Sequence, residues 1–501
     1  MNRVMKWVIG MGILSIVTGL LLLLFTFAPG RWMMGNGFFM GDRDDVGMMH
    51  GNGGMGRGNS IDLVSSIEPA KPLPIPERLR PDRVTEDELY YTVRAQIGDS
   101  QFLSAGAQTE TLGYNGDLLG PMIELPKGKT VYINTINQLN DPTSFHWHGL
   151  VIPGKQDGGP HQLINPGEQH QVRLDIDQEP GTLWFHPHPM GDTAEQVYRG
   201  LAGLLYVTDE SAETDIPNEY GVDDIPLIVQ DRLFTDDGRL DYDRQMNIDG
   251  TVGDTLLANG AINATFDVTT NTLRVRLVNG SNARNLDFSL SNGEPFTQIA
   301  TDGGLLDKPV SLKTLTLTPS ERAEILIDFS DLSLGDDIAL QADGIPFTTF
   351  TVRDRIDQDG EWIDAFEGAS VSNDSSVADR RLTLFGMGNM VTIDGKQFDP
   401  GRIDIDVQQG TTEVWEIYNR KDMMGGMTHP FHVHGVQFRI LERDGNPPPD
   451  NERGWKDTVA VAPGEKVKIE MTFKETGTFM YHCHILEHEE NGMMGQLRVN
   501  K

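Results

Sequence analysis

The run Leu273-Arg274-Val275-Arg276-Leu277-Val278-Asn279 alternates apolar and charged side chains and stops at an asparagine. A period of two puts one set of side chains on each face of a β-strand. Similar strands end at Asn137 and Asn419, at separations of 142 and 140 residues, and each leads through a loop into another strand. The turn Pro166-Gly167-Glu168 likewise returns as Pro319-Ser320-Glu321 and Pro463-Gly464-Glu465, at separations of 153 and 144. Two markers recurring together indicate three copies of one sheet-rich unit. Alternating runs such as Thr130-Val131-Tyr132-Ile133, Ala323-Glu324-Ile325-Leu326-Ile327 and Val467-Lys468-Ile469-Glu470-Met471 fill these units, and helical periodicity is scarce. The expected fold is all-β, with three consecutive β-sandwich domains.

A chain of 501 residues that is 38% hydrophobic has room for two to four domains with cores of their own. The expected boundaries are a hydrophobic segment over 1–30, a Met/Gly-rich flexible linker over 31–71, and a first domain over 72–212. A second domain over 222–355, an Asp/Ser-rich linker over 356–379 and a third domain over 380–501 follow. Arg3 and Lys6 precede an uncharged stretch from Trp7 to Phe27, which reads as a membrane-inserting segment, either a signal peptide cleaved near Thr26-Phe27-Ala28 or an uncleaved anchor. The positive residues favour an inside N-terminus and an exported body, so membrane contact is expected only through this segment. A single cysteine excludes an intramolecular disulfide framework. A net charge of −33 excludes nucleic acid as a partner. A monomer is expected.

Units one and three match further. Phe145-His146-Trp147-His148-Gly149 parallels Phe431-His432-Val433-His434-Gly435, and Gly181-Thr182-Leu183-Trp184-Phe185-His186-Pro187-His188 parallels Gly477-Thr478-Phe479-Met480-Tyr481-His482-Cys483-His484. Thirteen histidines placed at random would give roughly 0.3 His-x-His pairs, whereas this chain has four. On a strand the two imidazoles of each pair share a face, so eight of them are expected in one metal cluster between units one and three. Unit two has no histidine, and the expected role for it is that of a spacer. In an extended segment Cys483 points away from His482 and His484, so a metal on its sulfur would lie on the other side from the cluster. Cys483, His488 and His429 form the trigonal set of a blue copper site, with Met493 or its neighbour Met494 as the weak axial thioether and Met493 preferred by spacing. His50, His161 and His170 match no ligand position, and the last two are expected at the surface.

These blocks resemble the multicopper oxidases, most closely the bacterial cuprous oxidases of copper tolerance, over roughly Pro72 to the C-terminus. The resemblance implies three cupredoxin domains and four copper ions. His429, Cys483, His488 and Met493 would hold the type 1 copper, and His146 and His432 the type 2 copper. His148, His186, His188, His434, His482 and His484 would hold the type 3 pair. It further implies dioxygen as a substrate reduced to water, electrons entering singly through Cys483, and Asp157 and Glu489 as proton relays.

Thioethers favour Cu(I), which gives two methionine groups a bearing on the reductant. Met33, Met34, Met40, Met48, Met49 and Met55 lie in the glycine-rich N-terminal stretch, as part of a flexible linker or as a collector of Cu(I). Asp422, Met423, Met424 and Met427 precede His429, where the cuprous oxidases place a substrate Cu(I) site. Enterobacterial members insert a long methionine-rich segment in the third domain, whereas here only Met387 and Met390 stand in that stretch. Cu(I) and small aromatic reductants such as phenols both remain open, with copper detoxification favoured. A non-enzymatic copper-binding relative would be expected to have lost cluster ligands, and a copper nitrite reductase to have two domains.

Overall fold

The computed structural model describes residues 61–209, 216–243, 249–356, 377–421, 423 and 425–501. The hydrophobic segment, His50, the six methionines from Met33 to Met55, Asp422 and Met424 lie outside the described residues, as does most of the 356–379 linker.

The three repeat asparagines do the same work in each unit. Each is buried at the end of a strand, Thr130–Asn137, Thr272–Asn279 or Thr412–Asn419. Its backbone carbonyl accepts a bond from the second residue of the repeated turn: Gly167 N–H to Asn137, Ser320 N–H to Asn279 and Gly464 N–H to Asn419, at 2.7–2.8 Å. Its side-chain amide donates to two further carbonyls, those of Asp141 and Ile164, Arg284 and Leu317, or Met427 and Val461. The strand after each turn then pairs antiparallel in one register, with Ile136 facing Gln169, Val278 facing Arg322 and Tyr418 facing Lys466. A buried polar side chain with every partner supplied fixes register, so the repeat is a folding instruction rather than a chance likeness.

The described residues form six sheets, two per unit. A five- and a four-stranded sheet make the first sandwich, two six-stranded sheets the second, and two five-stranded sheets the third. Each pair encloses its own apolar core, around Val131, Ile133 and Trp147, around Val275, Leu277 and Phe350, and around Trp415, Ile469 and Phe479. Fully burying a side chain such as Leu277 or Phe350 stabilises by about 1.5–3 kcal/mol. Among the described residues no helix is long and apolar enough to cross a membrane.

Two expectations change. Residues 61–71 were expected in a flexible linker leading into the first domain, yet the chain there is docked on the second. Lys71–Pro72 pairs in parallel with Ala264–Thr265, Leu73 is buried in the second core, and the Ile61 carbonyl accepts from Arg284. The apolar-polar pattern of so short a strand carries no address, so its partner could not be read locally. The second unit is also more than a spacer. Glu324 on the strand Arg322–Asp328 receives Arg274 and Arg276, and Arg276 also pairs with Asp224, all fully buried. Thr182, on the first unit's strand Gly181–His186, donates to the same Glu324 at 2.7 Å. The second unit thus grips a strand that carries a cluster histidine.

Candidate metal centre

The strand His146–His148 pairs antiparallel with Gly181–His186, setting His146 opposite His186. In the third unit His429–Val433 pairs with Gly477–Cys483, setting His432 opposite His482 and Phe431 opposite Cys483. Directly opposed residues share a face, so His432 and His482 look one way while His429 and Cys483 look the other. The expected separation of two sites by one strand is therefore in place.

On the first face eight imidazoles meet across the boundary between units one and three, each at most 1% exposed. Rings from different units stack, His146 on His434 at 3.8 Å between centroids and His148 on His432 at 3.7 Å. Outer acceptors orient most of them. His146 Nδ1 donates to the Asp157 carbonyl, His186 Nδ1 to that of Pro187, His432 Nδ1 to that of Asp457 and His482 Nδ1 to that of Cys483, at 2.7–3.0 Å. His434 Nδ1 donates to Asp157 Oδ2 at 2.7 Å. Each of these rings turns its bare Nε2 inward. His148 is reversed, since its Nε2 donates to Asp457 Oδ1 at 2.9 Å and its Nδ1 faces His186 Nε2 at 3.4 Å.

The inward atoms converge. His482 Nε2 lies 3.0 Å from His434 Nε2 and 3.3 Å from His188 Nε2, a three-imidazole set suited to one ion. His146, His432 and His434 form another such set, and His146, His148 and His186 a third. Burial holds these imidazoles down, His482 to about 3 and His148, His186, His188, His432, His434 and His484 well below the usual range. They are neutral at ordinary pH, which is the form that binds metal. His146 Nε2, His432 Nε2 and His484 Nε2 are buried without a hydrogen-bond partner. Buried polar atoms left bare cost about 1–3 kcal/mol each, a cost that coordination removes, so the donor set fits copper ions.

On the second face Cys483 Sγ lies 3.4 Å from His429 Nδ1 and 3.8 Å from His488 Nδ1. The three ligand atoms are close enough for one ion and fully buried. Burial, with Glu489 adding to it, pushes the Cys483 thiol well up, so the thiolate requires a cation beside it. The register separates the two candidate thioethers. Met494 faces His482 and therefore belongs to the cluster side, whereas the Met493 carbonyl accepts from Cys483 N–H and Met493 shares the apolar core of Cys483. His161 and His170 are exposed as expected.

The two expected carboxylates both reach the cluster. Asp157 Oδ2 holds His434 and lies 3.6 Å from His146 Nδ1. Glu489, on the short helix Leu486–Glu490, lies between His188 Nδ1 and His482 Nδ1 at 3.3 Å from each. Burial, reinforced by Glu490 and Glu487, pushes its carboxyl well above the usual range. A third carboxylate, Asp457, had not been singled out by the sequence reading. Among the candidate substrate residues Met423 is exposed, and Met427 packs half-buried against the core that holds Cys483.

Family models described as multicopper oxidase match residues 96–212, 206–342 and 373–501. A multicopper oxidase, mco, of Staphylococcus epidermidis is 47% identical over 409 residues, 82% of this chain and 88% of that protein. The chain belongs to the multicopper oxidase family. It is an oxidoreductase with copper cofactors, and its domains are cupredoxin-like. Among solved structures it is similar to a laccase from Pediococcus acidilactici Pa5930, with a TM-score of 0.84, 41% identity and coverage of 89% of this chain and 96% of that one. It is also similar to a laccase-like multicopper oxidase, CueO, from Ochrobactrum sp., described as having oxidase activity towards lignin model compounds, with a TM-score of 0.77, 34% identity and coverage of 85% and 100%.

Proposed function

We propose that the chain is a cuprous oxidase of copper detoxification, working outside the cytoplasmic membrane as a monomer and passing electrons from Cu(I) to dioxygen. Four copper ions, a type 1 ion on His429, Cys483, His488 and Met493, a type 2 ion on His146 and His432, and a type 3 pair on His148, His186, His188, His434, His482 and His484, would supply one-electron acceptance and the reduction of dioxygen to water. The observation that carries the reading is Met427, a thioether packed against the core around Cys483 two residues before His429. A soft donor there selects Cu(I) over harder cations. Met423, exposed nearby in sequence, is placed to collect it from solvent. Asp422 and Met424, which belong to the same group, lie outside the described residues. Export rests on the uncharged run Trp7–Phe27.

Cys483 is joined directly to His482 and His484, so the shortest covalent path between the two sites is a single residue of backbone on either side. Asp157 keeps the tautomer of His434 and stands where it can hand on protons at Oδ1, which is buried and without a partner. Burial pushes the Glu489 carboxyl well up, and from between His188 and His482 it is placed to hand on protons. Exchanging Asp157 for Asn is expected to slow oxygen uptake about 100-fold while the blue absorption of the type 1 site stays unchanged, with oxygen electrode and visible spectrum as the two readouts.

A second reading, direct oxidation of phenols, is favoured by the likeness to the two laccase-like structures and by the exposed Met390, where a covering methionine-rich segment would stand. Oxygen uptake by copper-loaded protein with Cu(I) and with a phenol in parallel separates the two. The Met427→Leu variant is expected to raise the KM for Cu(I) about tenfold, the loss of one ligand contact worth about 1.4 kcal/mol, and to leave the phenol rate unchanged. An unaltered KM for Cu(I) would remove Met427 from the substrate site.

A further inference from the structure

The histidine-free middle unit reaches the cluster through Arg322. This residue follows the repeated turn, at the place occupied by exposed Gln169 in unit one and exposed Lys466 in unit three, yet it is fully buried. All five of its N–H groups are used. Nε donates to the Thr182 carbonyl of unit one at 3.0 Å. Nη1 donates to the Ser320 carbonyl at 3.1 Å and to Asp457 Oδ1 at 2.6 Å. Nη2 donates to the Asp302 carbonyl at 3.0 Å and to Asp457 Oδ2 at 2.6 Å. One guanidinium therefore ties together the three units. Its fork grips both oxygens of the carboxylate that orients His148, a planar match that a lysine cannot reproduce.

The turn before it is altered in the same direction. Where units one and three place Gly167 and Gly464 at φ +80° and +86°, the middle unit places Ser320 at φ +72°. A non-glycine residue there costs on the order of 1 kcal/mol. In return Ser320 Oγ lies 2.9 Å from Thr458 Oγ1, which lies 3.3 Å from both His148 Nε2 and His432 Nδ1. Gly149, next to His148, is pressed against the pair, since a Cβ there would lie 2.5 Å from Asp457 Oδ2 and 3.0 Å from Arg322 Nη2.

We propose that Arg322 is a positioning residue for the copper cluster. By holding Asp457 with its Oδ1 toward His148 Nε2–H, it fixes the one reversed imidazole so that His148 offers Nδ1 to the metal. Without that grip the carboxylate keeps only the Thr458 hydroxyl, 3.1 Å from Oδ1, beside His148; as it turns, His148 loses the acceptor that selects its tautomer, and the cluster loses a ligand that the other orientation cannot replace. This rests on the proposed assignment of the eight imidazoles to the type 2 and type 3 coppers.

The test uses the copper-loaded full chain and reads metal retention and spectra rather than turnover. Arg322→Lys keeps the charge and loses the fork. We expect copper at the cluster to be held about 10–100-fold more weakly against a chelator, with the loss falling on the type 3 pair that His148 serves and with an unchanged blue absorption. Because removing the fork can unfold the chain, a second variant, R322M/D457L, replaces the buried pair by apolar groups of similar size, an exchange that buried ion pairs tolerate. It is expected to fold and to show the same loss at the cluster. Cluster copper held as tightly as in the parent in either folded variant would overturn the proposal. A parent protein that binds copper at Cys483 but none at the histidine cluster would overturn the ligand assignment as well, so the two failures are told apart.

Discussion

Replacing Cys483 by serine is expected to abolish the blue absorption and to cut oxygen uptake with every reductant more than about 100-fold, beyond the range seen when only the groups behind metal ligands are altered. Sγ of Cys483 is the atom that both His429 Nδ1 and His488 Nδ1 face, at 3.4 and 3.8 Å. A serine hydroxyl is a hard donor that stays protonated, so the softest ligand is removed and with it the bond from the metal to the backbone shared with His482 and His484. His482 points to the other face of the same strand, where the remaining seven imidazoles meet it from other segments, so copper at the cluster is expected to remain. Metal analysis and the visible spectrum read the two sites separately. A serine variant that remained blue and active would mean that electrons do not enter through this residue.

Glu324→Gln is expected to lower the folding stability by about 3–5 kcal/mol, because it removes the carboxylate charge that both buried guanidinium groups, Arg274 and Arg276, face. Thermal or urea unfolding of the metal-free chain measures it. The same group sets an acid limit. Burial by itself would raise the Glu324 carboxyl, but Arg274 and Arg276 outweigh burial and hold it at about 2, below its ordinary 4.5. A lowered native pKa gives stability that is complete above about pH 4.5 and is lost as the pH falls from there towards 2. The glutamine variant starts lower and is expected to lose less over that interval, so the two stability curves converge in acid. Parallel curves would assign the acid loss to other carboxylates.

The convergence of the candidate ligands was legible because each is declared locally. Two histidines at i and i+2 share a strand face wherever they occur, and a cysteine between two histidines must look the other way, so His146, His148, His482 and Cys483 needed no knowledge of the fold. The three asparagines were legible for a similar reason, since a repeated turn and a repeated strand end fix each other's register. Spacing favoured Met493 over Met494 without placing either on a face, and it took the pairing of Met494 with His482 to do so. Asp457 and Arg322 were silent in the sequence because they meet across 135 positions, and an arginine after a turn looks like any exposed strand residue. One signal was present and passed over. Ser320 stands where both sister turns have glycine, and a residue that accepts backbone strain in place of glycine marks a side chain with a task. The docking of residues 61–73 on the second sandwich was silent for the opposite reason, because two residues of pairing leave no pattern.

The span of the cluster also sets an order of events in time. The bond between His148 and Asp457 joins residues 309 positions apart, and His188 meets His482 across 294. Contacts of such long range close late, after the local sheets have formed. A chain made from its N-terminus presents four imidazoles on its first sandwich long before the other four exist. The copper centre is thus the last part of the molecule to be assembled, and its completion reports that all three sandwiches have folded and found one another.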